Sequence, residues 1–184
     1  MSDAPRPSST ASAAASSSAS SSASSSASSS ASSSASASAV VPIDPRADGW
    51  RERAASGFIG LTGPLWTRRE ADGWGYGFVA EARHANPAGI VHGGMLVTLV
   101  DHAIATVAWD SAGRKPCVTV TLDTQFIAAV HPGNFVEARA EVTGRTNSML
   151  FVRGVVSVAG ATVATASAVL KLLAAPNATS GPLG

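Results

Sequence analysis

The spacing of apolar residues changes character twice along the chain. In WGYGFVAEA, Trp74 to Ala82, large apolar residues recur at every second position, the period of a strand with one buried face. The next stretch, RHANPAGIVHGG, is broken by Asn-Pro, Gly and Gly-Gly and reads as a loop. From Gly94 to Trp109 the apolar residues Met95, Leu96, Val97, Leu99, Val100, Ala103, Ile104, Ala105, Val107 and Ala108 leave hardly any polar side. A helix apolar all round is a buried helix. Four strand-like runs follow. CVTVTLDTQFIAAV sets Val118, Val120 and Leu122 on one face against Thr119, Thr121 and Asp123 on the other. After the turn HPGN, FVEARAEVT sets Val136, Ala138, Ala140 and Val142 against Glu137, Arg139 and Glu141. MLFVRGVVSVA and ATVATASAVLKLL flank a short turn at Ala159-Gly160 and complete a meander. Ahead of Trp74, the charged RERAASG predicts one helix, Ala47 to Ser56, ending before Gly57.

This order predicts an α+β domain in which antiparallel strands pack on a long helix. A curled sheet covers a helix on one side only. A helix without a hydrophilic side needs a second sheet or a second subunit on the other, so a homodimer is expected. Composition narrows the partners. The 184 residues suit one domain, and a net charge of +1 gives no basic field for nucleic acid. One cysteine excludes an internal disulfide and fits a reducing compartment. No apolar run reaches the roughly 18 residues that span a bilayer. The expectation is a soluble cytoplasmic protein with neither nucleic acid nor membrane as partner. The Ser/Ala repeats near the start have nothing large to bury, and they lack the apolar block of a secretory signal. The expected organisation is a disordered tail over 1–41, the domain over 42–174 and a flexible C-terminal tail over 175–184.

The chemistry centres on the long helix. Asp101 lies inside its apolar run with no Lys or Arg within one turn, an expensive place for an ionised carboxylate. Either a neighbouring strand satisfies it through threonine hydroxyls or backbone, or it serves as base or nucleophile in a partly dry pocket. His92-Gly93-Gly94 stands at the helix start, where backbone N–H groups lack intrahelical partners and the helix dipole is positive. Glycines there allow a ligand atom to approach, as a developing oxyanion requires. Gly94 and Asp101 fall on nearly the same helix face but roughly 10 Å apart. One carbonyl cannot touch both in one chain. If both act on one bond, they come from two helices running antiparallel across a dimer.

With Asn86, His92, Gly93, Gly94 and Asp101 at these spacings, NPAGIVHGG…D resembles the hotdog-fold thioesterases, most closely the PaaI-type acyl-CoA thioesterases of phenylacetic acid degradation. The resemblance spans about Gly57 to Leu173. It implies a hotdog fold, a curved antiparallel sheet wrapped around a long central helix, assembled as a homodimer or a dimer of dimers. It also implies hydrolysis of an aryl- or medium-chain acyl-CoA to free acid and CoA. Gly93 and Gly94 then polarise the carbonyl, Asp101 of the partner subunit drives attack, and Asn86 and His92 orient carbonyl or water. Thr119 matches the position of a small hydroxyl that holds the water. The CoA-binding loop corresponds to Gly144–Met149, with Arg145, Thr146, Asn147 and Ser148, joined by Lys171 on the last strand. Phe126 and the stretch before Asn86 border the acyl end. No cofactor is implied, since CoA is part of the substrate. A non-catalytic acyl-CoA sensor on the same fold is the alternative, although the chain offers no segment for a helix-turn-helix. Cys117 lacks a histidine partner, and His84, His92 and His102 lack the spacing of a zinc site. His102 points away from its neighbour Asp101, and His131 belongs to an exposed turn.

Overall fold

A computed structural model describes residues 43–174; the tails expected over 1–41 and 175–184 lie outside the described residues. The domain begins differently from the prediction. Asp44 accepts a hydrogen bond from the Arg46 N–H, Pro45 opens one 3-10 turn over Pro45–Asp48, and Gly49 ends it at φ 79°. The helix expected over Ala47–Ser56 is therefore absent. Arg51–Arg53 forms an edge strand, β1, which pairs with β2 (Leu65–Glu70). A short helix, α1 (Gly57–Thr62), separates them. β3 covers Gly73–Val79, shorter than predicted because Ala82–His84 turns as a 3-10 segment.

The long helix is α2, Gly93–Ser111, and four strands follow: β4 (Cys117–Phe126), β5 (Phe135–Arg145), β6 (Met149–Val158) and β7 (Ala161–Leu172). All seven strands join one antiparallel sheet in the order β1-β2-β3-β5-β6-β7-β4. The last four are thus not a simple meander. β5, β6 and β7 are, whereas β4 crosses over to pair with β7 at the far edge. The sheet curves around α2, the hotdog arrangement that the resemblance implies.

Leu96, Leu99, Val100, Ala103, Ile104 and Ala108 form the buried side of α2. They pack on inward residues of the sheet such as Phe78, Val136, Leu150, Val156 and Leu170. Burying each large side chain stabilises the fold by roughly 1.5–3 kcal/mol. Gly154 of β6 lets the helix sit close: a Cβ there would stand 2.5 Å from Val100 Cγ2 and 3.1 Å from Ile104 Cδ1. The sheet's other face is charged, as the alternation in β5 predicts. Arg139 grips both oxygens of Glu70, at 2.6 and 2.7 Å, and also pairs with Glu137. Arg68 adds a second guanidinium, and the Glu70 carboxyl is lowered to about 2.

One expectation about the core needs correction, and one feature of it agrees with a sheet that covers the helix on one side only. α2 is not covered all round, because Gly94, Thr98, Asp101, Ala105 and Trp109 lie partly or fully exposed along one side. β4, by contrast, departs from strict alternation. A bulge between Thr119 and Thr121 places two β4 residues against one step of β7. Cys117 and Thr119 face the helix before the bulge; Leu122 and Phe126 face it after. Val118 and Val120 are left 46% and 53% exposed.

Candidate active site

The loop before α2 is tied down by its own polar atoms. Asn86 Oδ1 accepts from the Ala88 N–H at 2.9 Å, and the Asn86 N–H donates to the Ile90 carbonyl at 2.8 Å. Asn86 is thus engaged in shaping the Pro87-Ala88-Gly89 turn. Val91 donates to Val130 and His92 to the His84 carbonyl, which fixes where the helix starts.

At that start His92 Nδ1 accepts from the Gly94 N–H at 2.9 Å, a side-chain N-cap. The two glycines are therefore not equivalent. The Gly94 amide is occupied, whereas the Gly93 N–H has no acceptor among the described residues. Gly93 lies under the Phe126 ring, and a Cβ on it would stand 3.0 Å from Phe126 Cζ. The helix tip thus offers one orphan donor beside an aromatic face, at the positive end of a 19-residue helix.

Two turns along, Asp101 is half-buried in this protomer rather than dry. One of its oxygens, Oδ1, accepts from the Thr119 hydroxyl at 3.0 Å. The strand-hydroxyl partner expected for a buried carboxylate is therefore present, and it holds Asp101 facing the exposed side of α2. His102 turns elsewhere, its ring edge-on to Tyr76 at 5.5 Å, and burial lowers its pKa more than Asp101 raises it. His84 is buried: its Nδ1 accepts from the Glu81 N–H at 3.0 Å and its Nε2 lies 3.1 Å from the Thr62 carbonyl. That pairing assigns the proton to Nε2. Burial first, and then the charge of Arg83, holds this ring below its ordinary pKa. The Cys117 thiol is pushed up by burial.

The five residues assigned to CoA gather at the other end of the helix. Arg145, at the end of β5, donates to the Ser111 carbonyl at 3.2 Å. The Thr146 hydroxyl accepts from the Met149 N–H at 3.0 Å, the Ser148 carbonyl accepts from the Leu172 N–H, and Lys171 pairs in register with Met149. Arg145, Thr146, Asn147, Ser148 and Lys171 are all exposed. Counting along α2, Ser111 lies roughly 26 Å from Gly94 and 15 Å from Asp101. One chain alone does not bring the helix tip, the carboxylate and this hairpin together.

A cavity of about 540 Å³ adjoins the helix tip, lined by His92, Gly94, Met95 and Thr98 from α2 and its cap and by Phe58 and Leu61 from α1. The last two escaped the sequence reading; the only signal is an apolar pair in GFIGLT. A larger cavity of about 640 Å³, between Trp74 and Trp109, contains neither Gly94 nor Asp101. Among the described residues no cluster of three His, Cys, Asp or Glu side chains suits a metal ion. No helix of the described residues is long and apolar enough to cross a membrane.

Comparison with known proteins bears on this geometry. Residues 88–164 match the family model of the thioesterase superfamily, a span that holds His92, Gly93, Gly94, Asp101, Thr119 and the hairpin but neither Asn86 nor Lys171. A Pseudomonas aeruginosa protein named "putative esterase" is 28% identical over 120 residues, 64% of this chain and 90% of its own length. A mutant form of the phenylacetic acid degradation protein PaaI from Thermus thermophilus superposes with TM-score 0.56 at 26% identity, over 63% of this chain and 98% of its own. A phenylacetic acid degradation-related protein from Ralstonia eutropha gives 0.51 at 26% identity, over 72% and 92%. The resemblance to hotdog thioesterases of the PaaI type therefore holds in both sequence and fold.

Proposed function

From this kinship we propose that the protein is an acyl-CoA thioesterase whose active site is shared between two copies of the chain. One observation carries the reading: an orphan N–H at Gly93, at the tip of α2, and a threonine-held carboxylate at Asp101, on its uncovered side, belong to one helix and lie too far apart for one carbonyl. Two such helices packed antiparallel, crossing near Val97 and Thr98, set each glycine tip opposite the other's carboxylate. Gly94, Thr98 and Ala105 are small enough for that approach. β4 supports it too, since among the described residues it pairs only with β7 and leaves a second edge open beside exposed Val118 and Val120. The same packing carries the partner's hairpin to roughly 15 Å beyond the glycine tip. Arg145 and Lys171 there supply cations for phosphates, and Thr146, Asn147 and Ser148 hydrogen-bonding groups for the nucleotide.

In this site the Gly93 N–H and the helix dipole receive the thioester oxygen. Asp101 of the partner subunit takes a proton from water as that water attacks the carbonyl carbon, or attacks the carbon itself. Thr119 fixes the carboxylate. On the first route, collapse of the tetrahedral oxyanion expels the CoA thiolate, which takes up that proton, leaving a free acid. On the second, collapse leaves a mixed anhydride on Asp101, which water hydrolyses to the free acid and the restored carboxylate, the water's proton going to the thiolate. Gly94 stays with its His92 cap, so His92 acts by setting the helix tip. Asn86 acts by shaping the loop that leads to it. The scheme uses no cofactor besides the CoA of the substrate. An aryl or medium-length acyl group is proposed.

The test separates chemistry from assembly. Gly93 is the first helical residue, where proline is tolerated, and His92 at φ −61°, ψ 132° already has the conformation that precedes a proline. Gly93→Pro thus deletes the orphan N–H while keeping the helix, and Gly93→Ala, which keeps the N–H, controls for the close approach of any Cβ here to the exposed Phe126 ring. Gly93→Pro and Asp101→Asn are each expected to abolish thiol release from acyl-CoA. Mixing them under conditions of subunit exchange restores one intact site in every heterodimer, about a quarter of wild-type activity. Failure of the mixture refutes the shared site. Binding of acyl-CoA by the wild type without any thiol release identifies a sensor instead.

A further inference from the structure

We infer that α1 is a wall that closes the acyl side of the proposed site and sets acyl-group preference through Phe58 and Leu61. The inference rests on the thioesterase reading and adds to it the identity of the specificity element. No residue of α1 is buried, and two of its large side chains, Phe58 and Leu61, are 65% and 78% exposed. Both line the cavity that holds His92, Gly94, Met95 and Thr98. Gly93 does not line this space but its neighbours His92 and Gly94 do, so an acyl group whose carbonyl oxygen sits on the Gly93 N–H must pass Gly94 to enter it. Its far wall is then apolar on both sides: Met95 from α2, Phe58 and Leu61 from α1.

α1 is held mainly at its C-terminal end, with Ile59 packed on the core. At its C-terminal end the Thr62 carbonyl meets His84 Nε2 and the Gly63 carbonyl accepts from Arg83, so two side chains from one short segment latch it. At its N-terminal end Ser56 makes no side-chain cap. Arg83 also lines the cavity, but it is bound to the Gly63 carbonyl and to Glu81, so the apolar wall rather than this charge meets the ligand. The occupant is therefore an uncharged apolar acyl group long enough to reach past Met95, such as octanoyl or phenylacetyl, and not acetyl.

The experiment compares wild type, Phe58→Ala and Leu61→Ala on acetyl-, octanoyl- and phenylacetyl-CoA, with circular dichroism as a check on folding. Each side chain is exposed in the free protein, so both variants are expected to fold. Covering either one by the acyl group contributes about tenfold in affinity. The ratio of kcat/KM for octanoyl-CoA over acetyl-CoA is expected to fall about tenfold in each variant, through KM, with Phe58→Leu recovering part of it. Equal losses on all three substrates, or no change in the ratio, overturn the wall while leaving hydrolysis in place. Calorimetric binding of octanoyl-CoA supplies a readout independent of turnover. If wild type and Phe58→Ala bind it equally, the inference falls even where no thiol is released.

Discussion

The tight contact between helix and sheet makes Gly154→Ala the most demanding perturbation of this fold. A methyl at Gly154 would stand 2.5 Å from Val100 Cγ2 and 3.1 Å from Ile104 Cδ1. Ordinary carbon contacts sit at about 3.5–4.0 Å, so the helix must rise by roughly 1 Å or Val100 must leave its rotamer. Both neighbours are fully buried and β-branched, hence stiff at χ1 within a helix. Overpacking of this kind costs about 1–3 kcal/mol, and two unyielding neighbours place the cost in the upper half of that range. For a domain of this size that lowers Tm by roughly 5–15 °C. Urea titration gives the free energy directly, and the double variant Gly154→Ala/Val100→Ala isolates the contact. Shortening Val100 removes the clash, so the pair should be more stable than the two single losses imply by about 1 kcal/mol or more. Because α2 also carries Gly93 and Asp101, thiol release should fall by more than stability alone explains. A Gly154→Ala protein within about 0.5 kcal/mol of wild type would show that the helix does not rest on β6 as described.

Further expectations concern single groups. Thr119→Val removes the donor to Asp101 while keeping volume; kcat should drop about tenfold, with Thr119→Ser restoring most of it in the same thiol assay. Glu70 has its folded pKa at about 2 against an ordinary 4.5, so its contribution to stability is full above the higher value and lost as pH falls toward the lower. Denaturant titrations across that range should show a loss of about 1–2 kcal/mol, after allowance for solvent screening, that Glu70→Gln lacks. His84 has a lowered folded pKa, so its native state favours the neutral ring; its contribution is full above the ordinary 6.5 and lost as pH falls through the lowered value. Thermal melts and limited proteolysis near α1 should show this acid weakening in wild type and not in His84→Phe.

What the sequence disclosed follows the length and regularity of each pattern. α2 and β5 to β7 are long and strictly periodic, and their turns carry Pro and Gly where the backbone needs them, so they were legible. β1, α1 and β2 are short; RERAASG resembles a charged helix face until Arg51–Arg53 pairs with Leu65–Thr67, and LWTRRE carries no pattern that marks it beforehand. β4 shows the limit of alternation: a bulge invisible in the sequence exchanges its faces midway. In the site, a strand threonine satisfying Asp101 was one of two readings of that carboxylate, whereas Thr119 itself was named only by the resemblance, as a holder of water; its hydroxyl donates to Asp101 instead. The capture of Gly94 by His92 was not anticipated, because histidine is outside the usual set of N-cap residues. Phe58 and Leu61 were missed because their meaning comes from what they face, not from their spacing.

The bulge in β4 has a consequence for how this strand can change over time. Thr119 reaches the carboxylate and Phe126 reaches Gly93, although an odd interval of seven separates them and a regular strand would point them to opposite faces. One surplus residue reconciles the two. The strand therefore has no room for shortening by one: a deletion there would leave the chain to choose between steadying its acid and shielding its glycine tip.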